Sequence, residues 1–123
     1  MKIKIGLDID GTITEHPEFF AALSQSEKFE VHVITGRGAE DIKDTTAELT
    51  ALGIRWDKIH HADNWEDKGR VCKELGIEVM FDDQDEYISR ISCDTLVLKP
   101  RNGGNWNSAR MGWVGKVFDA SQK

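Results

Sequence analysis

GLDIDGTIT, residues 6–14, starts as an apolar strand and then sets Asp8 and Asp10 on either side of one isoleucine. Two carboxylates this close at the end of an apolar strand repel each other and resist burial. Gly11, Thr12 and Ile13 follow at once, so the chain turns where the acids stand. In an open parallel sheet, ligands bind outside the carboxyl ends of the strands. The stretch therefore predicts a first strand of such a sheet, delivering acids to a site at its end.

Outward from it, apolar β-rich runs alternate with runs of helical spacing. Strands are expected over residues 2–9, 31–35, 58–62, 77–81 and 95–98, the third as a short edge strand. Helices are expected over 17–28, 39–52, 64–75 and 85–91. Pro17 suits a first turn, and Gly53 and Gly76 suit helix C-termini. Phe19, Phe20 and Leu23 stand at helical spacing in the first helix, Ile42, Leu49 and Leu52 repeat on one face of the second, and Val71, Cys72 and Leu75 are expected inward in the third. The alternation predicts an α/β fold: a three-layer, Rossmann-like parallel sheet with helices on both faces. A chain of 123 residues suits a single domain, 1–123. The tail over 100–123, rich in glycine, asparagine and tryptophan, reads as a hairpin or loop extension.

Composition narrows the function classes. The chain is 39% hydrophobic and 31% charged, with a formal net charge of -6. An acidic surface disfavours nucleic acid and anionic membranes as partners. No run approaches the roughly 18 apolar residues of a membrane span. KIKIGLDI after Met1 is strand-like and too short for a signal segment, so a cytoplasmic protein is expected. Cys72 and Cys93 lack metal-ligand spacing and are expected to be free thiols.

Three strand ends carry unusual residues: Asp8 and Asp10; Thr35, Gly36 and Arg37; Asp82 and Asp83. Lys68 stands near the start of the helix leading to the last of these strands. Four carboxylates, a hydroxyl and one or two cations would meet at one sheet edge. Such an oxygen-rich set suits a hard divalent cation, Mg²⁺, which also binds substrate phosphate. The cation would neutralise acids that could not otherwise share a site.

DIDGT (8–12), ITGR (34–37), Lys68 and FDD (81–83), in this order, resemble the four motifs of the haloacid dehalogenase (HAD) superfamily of phosphotransferases. The resemblance spans roughly residues 3–99 and leaves out the tail. It implies a phosphoric monoester hydrolase working through an aspartyl-phosphate. Asp8 would be the nucleophile and Asp10 the general acid-base. Thr35 would hold a phosphoryl oxygen, and Lys68 would offset charge on nucleophile and phosphoryl group. Asp8, the backbone carbonyl of Asp10, Asp83 and Asp82 would hold Mg²⁺, while Thr12, Gly36 and Arg37 would face the substrate. In this family phosphatases and phosphomutases keep aspartate at the position of Asp10, whereas P-type ATPases carry threonine. No cap domain fits between residues 13 and 33 or between 38 and 67. The implied site is open. It would suit a small phosphorylated substrate, a nucleotide or a nucleic-acid end, or take its lid from a second copy of the chain.

Other readings compete. Arg37 reads a substrate phosphate or, in the preferred reading, pairs with Glu40 or Asp41. His60 and His61 are read as structural rather than site-lining, and Trp56 and Trp65 as packing. Lys73 is a weaker rival to Lys68. Glu15 and His16 stand where a flap over the site would form. Trp106 and Trp113, near Lys99, Arg101 and Arg110, either pack as a hairpin or stack a base-bearing substrate. A signalling receiver domain would need a lone aspartate after the third strand, where this chain has His60, His61 and Ala62. A non-catalytic phosphate-binding module on the same scaffold is the remaining alternative of a different class.

Overall fold

Strands β1 (Ile3–Leu7), β2 (Phe29–Thr35), β3 (Lys58–His61), β4 (Val79–Phe81) and β5 (Leu96–Leu98) form one sheet. The order is β3-β2-β1-β4-β5, and every neighbouring pair is parallel. The structure is a computed structural model that describes residues 1–101, 105–107, 109 and 111–114. The expected α/β class and Rossmann-like sheet are present.

The two-residue period of the strands divides the interior into two layers. Ile5 and Leu7 of β1 and Val31 and Val33 of β2 pack with Phe20 and Leu49. These two belong to helices α1 (Pro17–Ser24) and α2 (Ile42–Ala51). Ile34 and Met80, of opposite parity, pack with Val71 and Cys72 of α3 (Asp67–Leu75). Gly6 lies on this second face, where a Cβ would stand 2.5 Å from the Met80 sulfur. Helices therefore cover both faces of the sheet.

Helix ends differ from the periodicity for local reasons. Residues 39–41 form a tight 3₁₀ turn before α2, entered from Gly38 in extended backbone (φ -71°, ψ 150°). The second helix then buries Thr45 and Leu49, and Ile42 stays 38% exposed rather than inward. Helix α1 also leaves Phe19 exposed and buries Phe20. Helix α3 starts at Asp67 rather than residue 64, because the Asp67 carboxylate accepts the amides of Asp63 and Asn64 and closes a turn there. It ends at Gly76, which takes left-handed backbone (φ 69°). A short helix, α4 (Asp85–Ile88), follows β4.

The tail forms a separate antiparallel pair, β6 (Asn105–Asn107) with β7 (Gly112–Val114). Trp106 stands opposite Trp113 in its register. Arg110 and the side-chain surroundings of the two tryptophans lie outside the described residues. No described helix is long and apolar enough to cross a membrane.

Candidate active site at the carboxyl edge of the sheet

The topology sets β1 between β2 and β4, so the ends of these three strands are adjacent. Asp8 continues the ladder one step past β1, its amide donating to the Phe81 carbonyl at 3.0 Å. The chain then makes a type II turn. Asp10 has φ -71°, ψ 121° and Gly11 has φ 85°, ψ -9°. The positive φ suits glycine alone. A Cβ on Gly11 would also run into the Asp83 carboxylate. A wide helical turn follows, in which Ile13 and Thr14 donate to the carbonyls of Asp8 and Ile9.

Lys68 is 0% exposed, in the first turn of α3. Its ammonium donates to Asp8 Oδ1 and Asp82 Oδ2, each at 2.7 Å, and lies 3.9 Å from the centre of the Tyr87 ring. The Thr12 hydroxyl lies 3.1 Å from Asp8 Oδ2 and 3.3 Å from Asp83 Oδ1. Asp82 also accepts the Gln84 amide at 2.9 Å. Oxygens of Asp8, Asp82 and Asp83, all buried, lie within 4.8 Å of one another. Of the expected acids, this cluster holds three.

Charge decides what the cluster needs. Three carboxylates against one ammonium leave a formal surplus of two negative charges in a buried site. Burial, partly countered by Lys68, pushes Asp8 up to about 7. Burial and the charge of Asp8 push Asp82 up to about 6. Asp83 is also raised, chiefly by burial. Burial pulls Lys68 down, but Asp8 and Asp82 outweigh it and hold the ammonium charged. The cluster thus favours an added positive charge, either a proton or a divalent cation. Clustered carboxylate oxygens are donors of the hard type that Mg²⁺ takes. The fit is to a metal ion in general.

Asp10 lies apart from this trio. Its carboxylate takes two hydrogen bonds from Arg37, Nε at 3.0 Å and Nη2 at 2.8 Å. That pairing, partly opposed by burial, holds Asp10 below the usual carboxylate range. Arg37 also reaches Glu48 of α2 at 3.0 Å. Its partners are therefore Asp10 and Glu48, not Glu40 or Asp41. Glu40 and Asp41 sit on the exposed 3₁₀ turn, while one turn and a half of α2 brings Glu48 back over the strand end. Thr35 is fully buried, and its hydroxyl accepts the Arg37 amide at 3.0 Å. Gly36 is required by close approach, since a Cβ there would stand 2.5 Å from the Tyr87 hydroxyl.

The two histidines separate by strand parity. His61 meets the site loop through Nδ1 and the Arg37 carbonyl at 2.9 Å. His60 turns to the other face and meets His32, whose second nitrogen lies 2.6 Å from Glu30. Trp56 packs on the core beside α1 and α2, as expected. Trp65 sits edge-on to Tyr87, with ring centres 4.8 Å apart. Lys73 lies exposed on the last turn of α3, away from the acids. His16, exposed, closes the loop after Thr12, its amide donating to the Thr12 carbonyl at 3.1 Å. Glu15 beside it is exposed.

Sequence reasoning missed Tyr87 and Glu48. Tyr87 is the chain's single tyrosine, four residues past Asp83, and that helical spacing from the acidic strand end was the available signal. Gly69 admits it: a Cβ there would collide with the Arg90 carbonyl, so only glycine lets α3 and the end of α4 approach so closely. Glu48 carried no local signal, because its partner lies eleven residues away across a loop.

No protein-family model matches the chain, and no curated protein matches it. A chain from the solved structure described as "Structure of Pnkp1/Rnl/Hen1 complex" is similar to it in fold. The TM-score is 0.59 at 14% identity, and the match covers 80% of this chain and 46% of that one. This chain therefore spans less than half the length of that neighbour, and the likeness is one of fold. Between Ile13 and Thr35 lie only α1 and β2, and between Thr35 and Lys68 only the 3₁₀ turn, α2 and β3. Neither interval holds a cap.

Proposed function

We propose that this chain is a Mg²⁺-dependent phosphomonoester hydrolase that passes through an aspartyl-phosphate on Asp8. The observation that carries the reading is Lys68, buried between Asp8 and Asp82 in a cluster with surplus negative charge. A purely structural ion pair gains little from a third buried acid, whereas phosphoryl transfer needs charge neutralisation around a nucleophile. The resemblance of DIDGT, ITGR, Lys68 and FDD to the HAD motifs supports the same reading.

Lys68 holds Asp8 through Oδ1, and Oδ2, which accepts the Thr12 hydroxyl at 3.1 Å, is the attacking oxygen. That oxygen bonds to phosphorus as the ester oxygen–phosphorus bond breaks, and the leaving oxygen takes a proton from Asp10. A water molecule then returns its proton to Asp10, attacks phosphorus and frees the Asp8 carboxylate and inorganic phosphate. Lys68 offsets charge on Asp8 and the phosphoryl group, and the Thr35 hydroxyl holds a phosphoryl oxygen. Asp10, ionised on Arg37 in this structure, must take up a proton and leave the guanidinium before it donates. Asp8, Asp82 and Asp83, with the Asp10 carbonyl, would hold Mg²⁺, which when bound neutralises the acids and phosphoryl oxygens.

The test is phosphate release from a panel of sugar phosphates, nucleotides and phosphorylated oligonucleotides, with Mg²⁺ and with EDTA. Release that requires Mg²⁺ and is abolished by Asp8→Asn supports the mechanism. Undiminished turnover by the Asp8→Asn protein overturns it. Absence of release from the whole panel favours the phosphate-binding module.

A further inference from the structure

A pocket of about 460 Å³ opens at the carboxyl ends of β4 and β5, on the α1 side of the sheet, whereas the acid cluster faces α3. Small-molecule sites typically begin at roughly 300 Å³. Its apolar wall includes Phe19, Phe81 and Leu98, and its polar rim His16, Lys99 and Arg101. Three of these are bonded through the backbone to the site itself. The Phe81 carbonyl accepts the Asp8 amide, the Leu98 carbonyl accepts the Asp82 amide, and the His16 amide donates to the Thr12 carbonyl. Pocket and acid cluster are therefore two sides of the same strand ends. Alternating strand parity separates them, with Phe81 facing α1 and Asp82 facing α3.

The lining is specific in kind. Phe20 is buried and holds both rings edge-on, Phe19 at 5.0 Å and Phe81 at 5.3 Å. Phe19 is nevertheless 57% exposed, an aromatic surface turned toward solvent at the pocket. Lys99 is partly neutralised by Asp85 at 2.9 Å. Arg101 has no carboxylate partner among the described residues. A protein of net charge -6 here offers a cation beside aromatic rings.

We propose that this pocket takes the aromatic base of a nucleoside monophosphate whose phosphoryl group is presented to Asp8. The proposal rests on the phosphoryl-site reading above. Phe19 stacks on the base, because any base offers a π-face to an aromatic ring. Arg101 supplies a guanidinium to the base or sugar edge. A net charge of -6 favours a mononucleotide over a nucleic-acid strand, whose additional phosphates it would repel.

Calorimetric binding of AMP and UMP, with ribose 5-phosphate as the ring-free comparator, tests this in Mg²⁺ with the Asp8→Asn protein, which holds ligand without turnover. Both nucleotides should bind about tenfold or more tightly than ribose 5-phosphate, as base stacking implies. Phe19→Ala should bring that ratio close to one, and Arg101→Ala should lower it. Equal binding of nucleotide and ribose 5-phosphate overturns the proposal, as does an unchanged ratio in Phe19→Ala or no binding by either nucleotide. Tighter binding of a 3′-phosphorylated oligonucleotide than of the mononucleotide also overturns it, in favour of nucleic-acid ends. Turnover separates the two readings. Equal hydrolysis of AMP and ribose 5-phosphate by the native protein sinks the pocket and keeps the hydrolase. Base-dependent binding without hydrolysis of either keeps the pocket and sinks the hydrolase.

Discussion

Asp83→Asn should stabilise the metal-free protein at pH 8 while weakening its hold on Mg²⁺. Asp83 lies within 4.8 Å of two other buried acids, Asp8 and Asp82. At that separation each like-charge contact costs about 3 kcal/mol at an effective dielectric of about 20. The Lys68 ammonium is already bonded to Asp8 and Asp82, so it offsets only part of this repulsion. Proton sharing among the acids and loss of the Thr12 hydrogen bond reduce the net gain to about 1–2 kcal/mol. For a domain of this size that is a rise in Tm of about 4–8 °C. The pH dependence has a definite sign. Unfolded aspartates release their protons near 3.9, whereas burial holds Asp8 to about 7 and Asp82 to about 6. Between those values the folded state binds more protons, so metal-free stability falls as pH rises from about 4 to 7. The gain from Asp83→Asn should therefore be large at pH 8 and small at pH 5. Thermal melts in EDTA at both pH values, repeated with Mg²⁺, measure it. Mg²⁺ should raise the Tm of the native protein at pH 8 and have far less effect on the variant. A loss of 1 kcal/mol or more by the variant in EDTA at pH 8 would refute the charge reasoning.

Three further outcomes are expected. Gly11→Ala puts a side chain at φ 85° and against the Asp83 carboxylate, so it should cost about 1–2 kcal/mol in urea unfolding and weaken Mg²⁺ binding at least tenfold. Thiol titration of the native protein should report Cys93 quickly and Cys72 only after denaturation, since Cys93 is exposed and burial pushes the Cys72 thiol up to about 11. Burial, with His32 beside it, holds His60 below the ordinary histidine value. The stability it contributes is then present above about 6.5 and lost as pH falls below that, and imidazole NMR titration should give His60 a midpoint below the ordinary histidine value.

Much of the architecture is local in origin. Apolar runs of strand length, helical spacing between them and glycines at helix ends are each written within a dozen residues. They determine the strand-helix alternation, and alternation dictates a parallel sheet with two helical layers. The sequence also singled out Asp8, Lys68, Asp82 and Asp83, because acids at the ends of apolar strands conflict with burial unless chemistry requires them. Only the tertiary structure decided how those residues divide. Strand order brings β4 against β1, so Asp83 joins Asp8 across 75 residues of chain, while the type II turn at Gly11 sends Asp10 out to Arg37. The Arg37–Glu48 pair, Tyr87 over Lys68 and the aromatic pocket at Phe19 and Phe81 each join residues from separate elements. No periodicity encodes them, since they exist only once packing has set the distances between those elements.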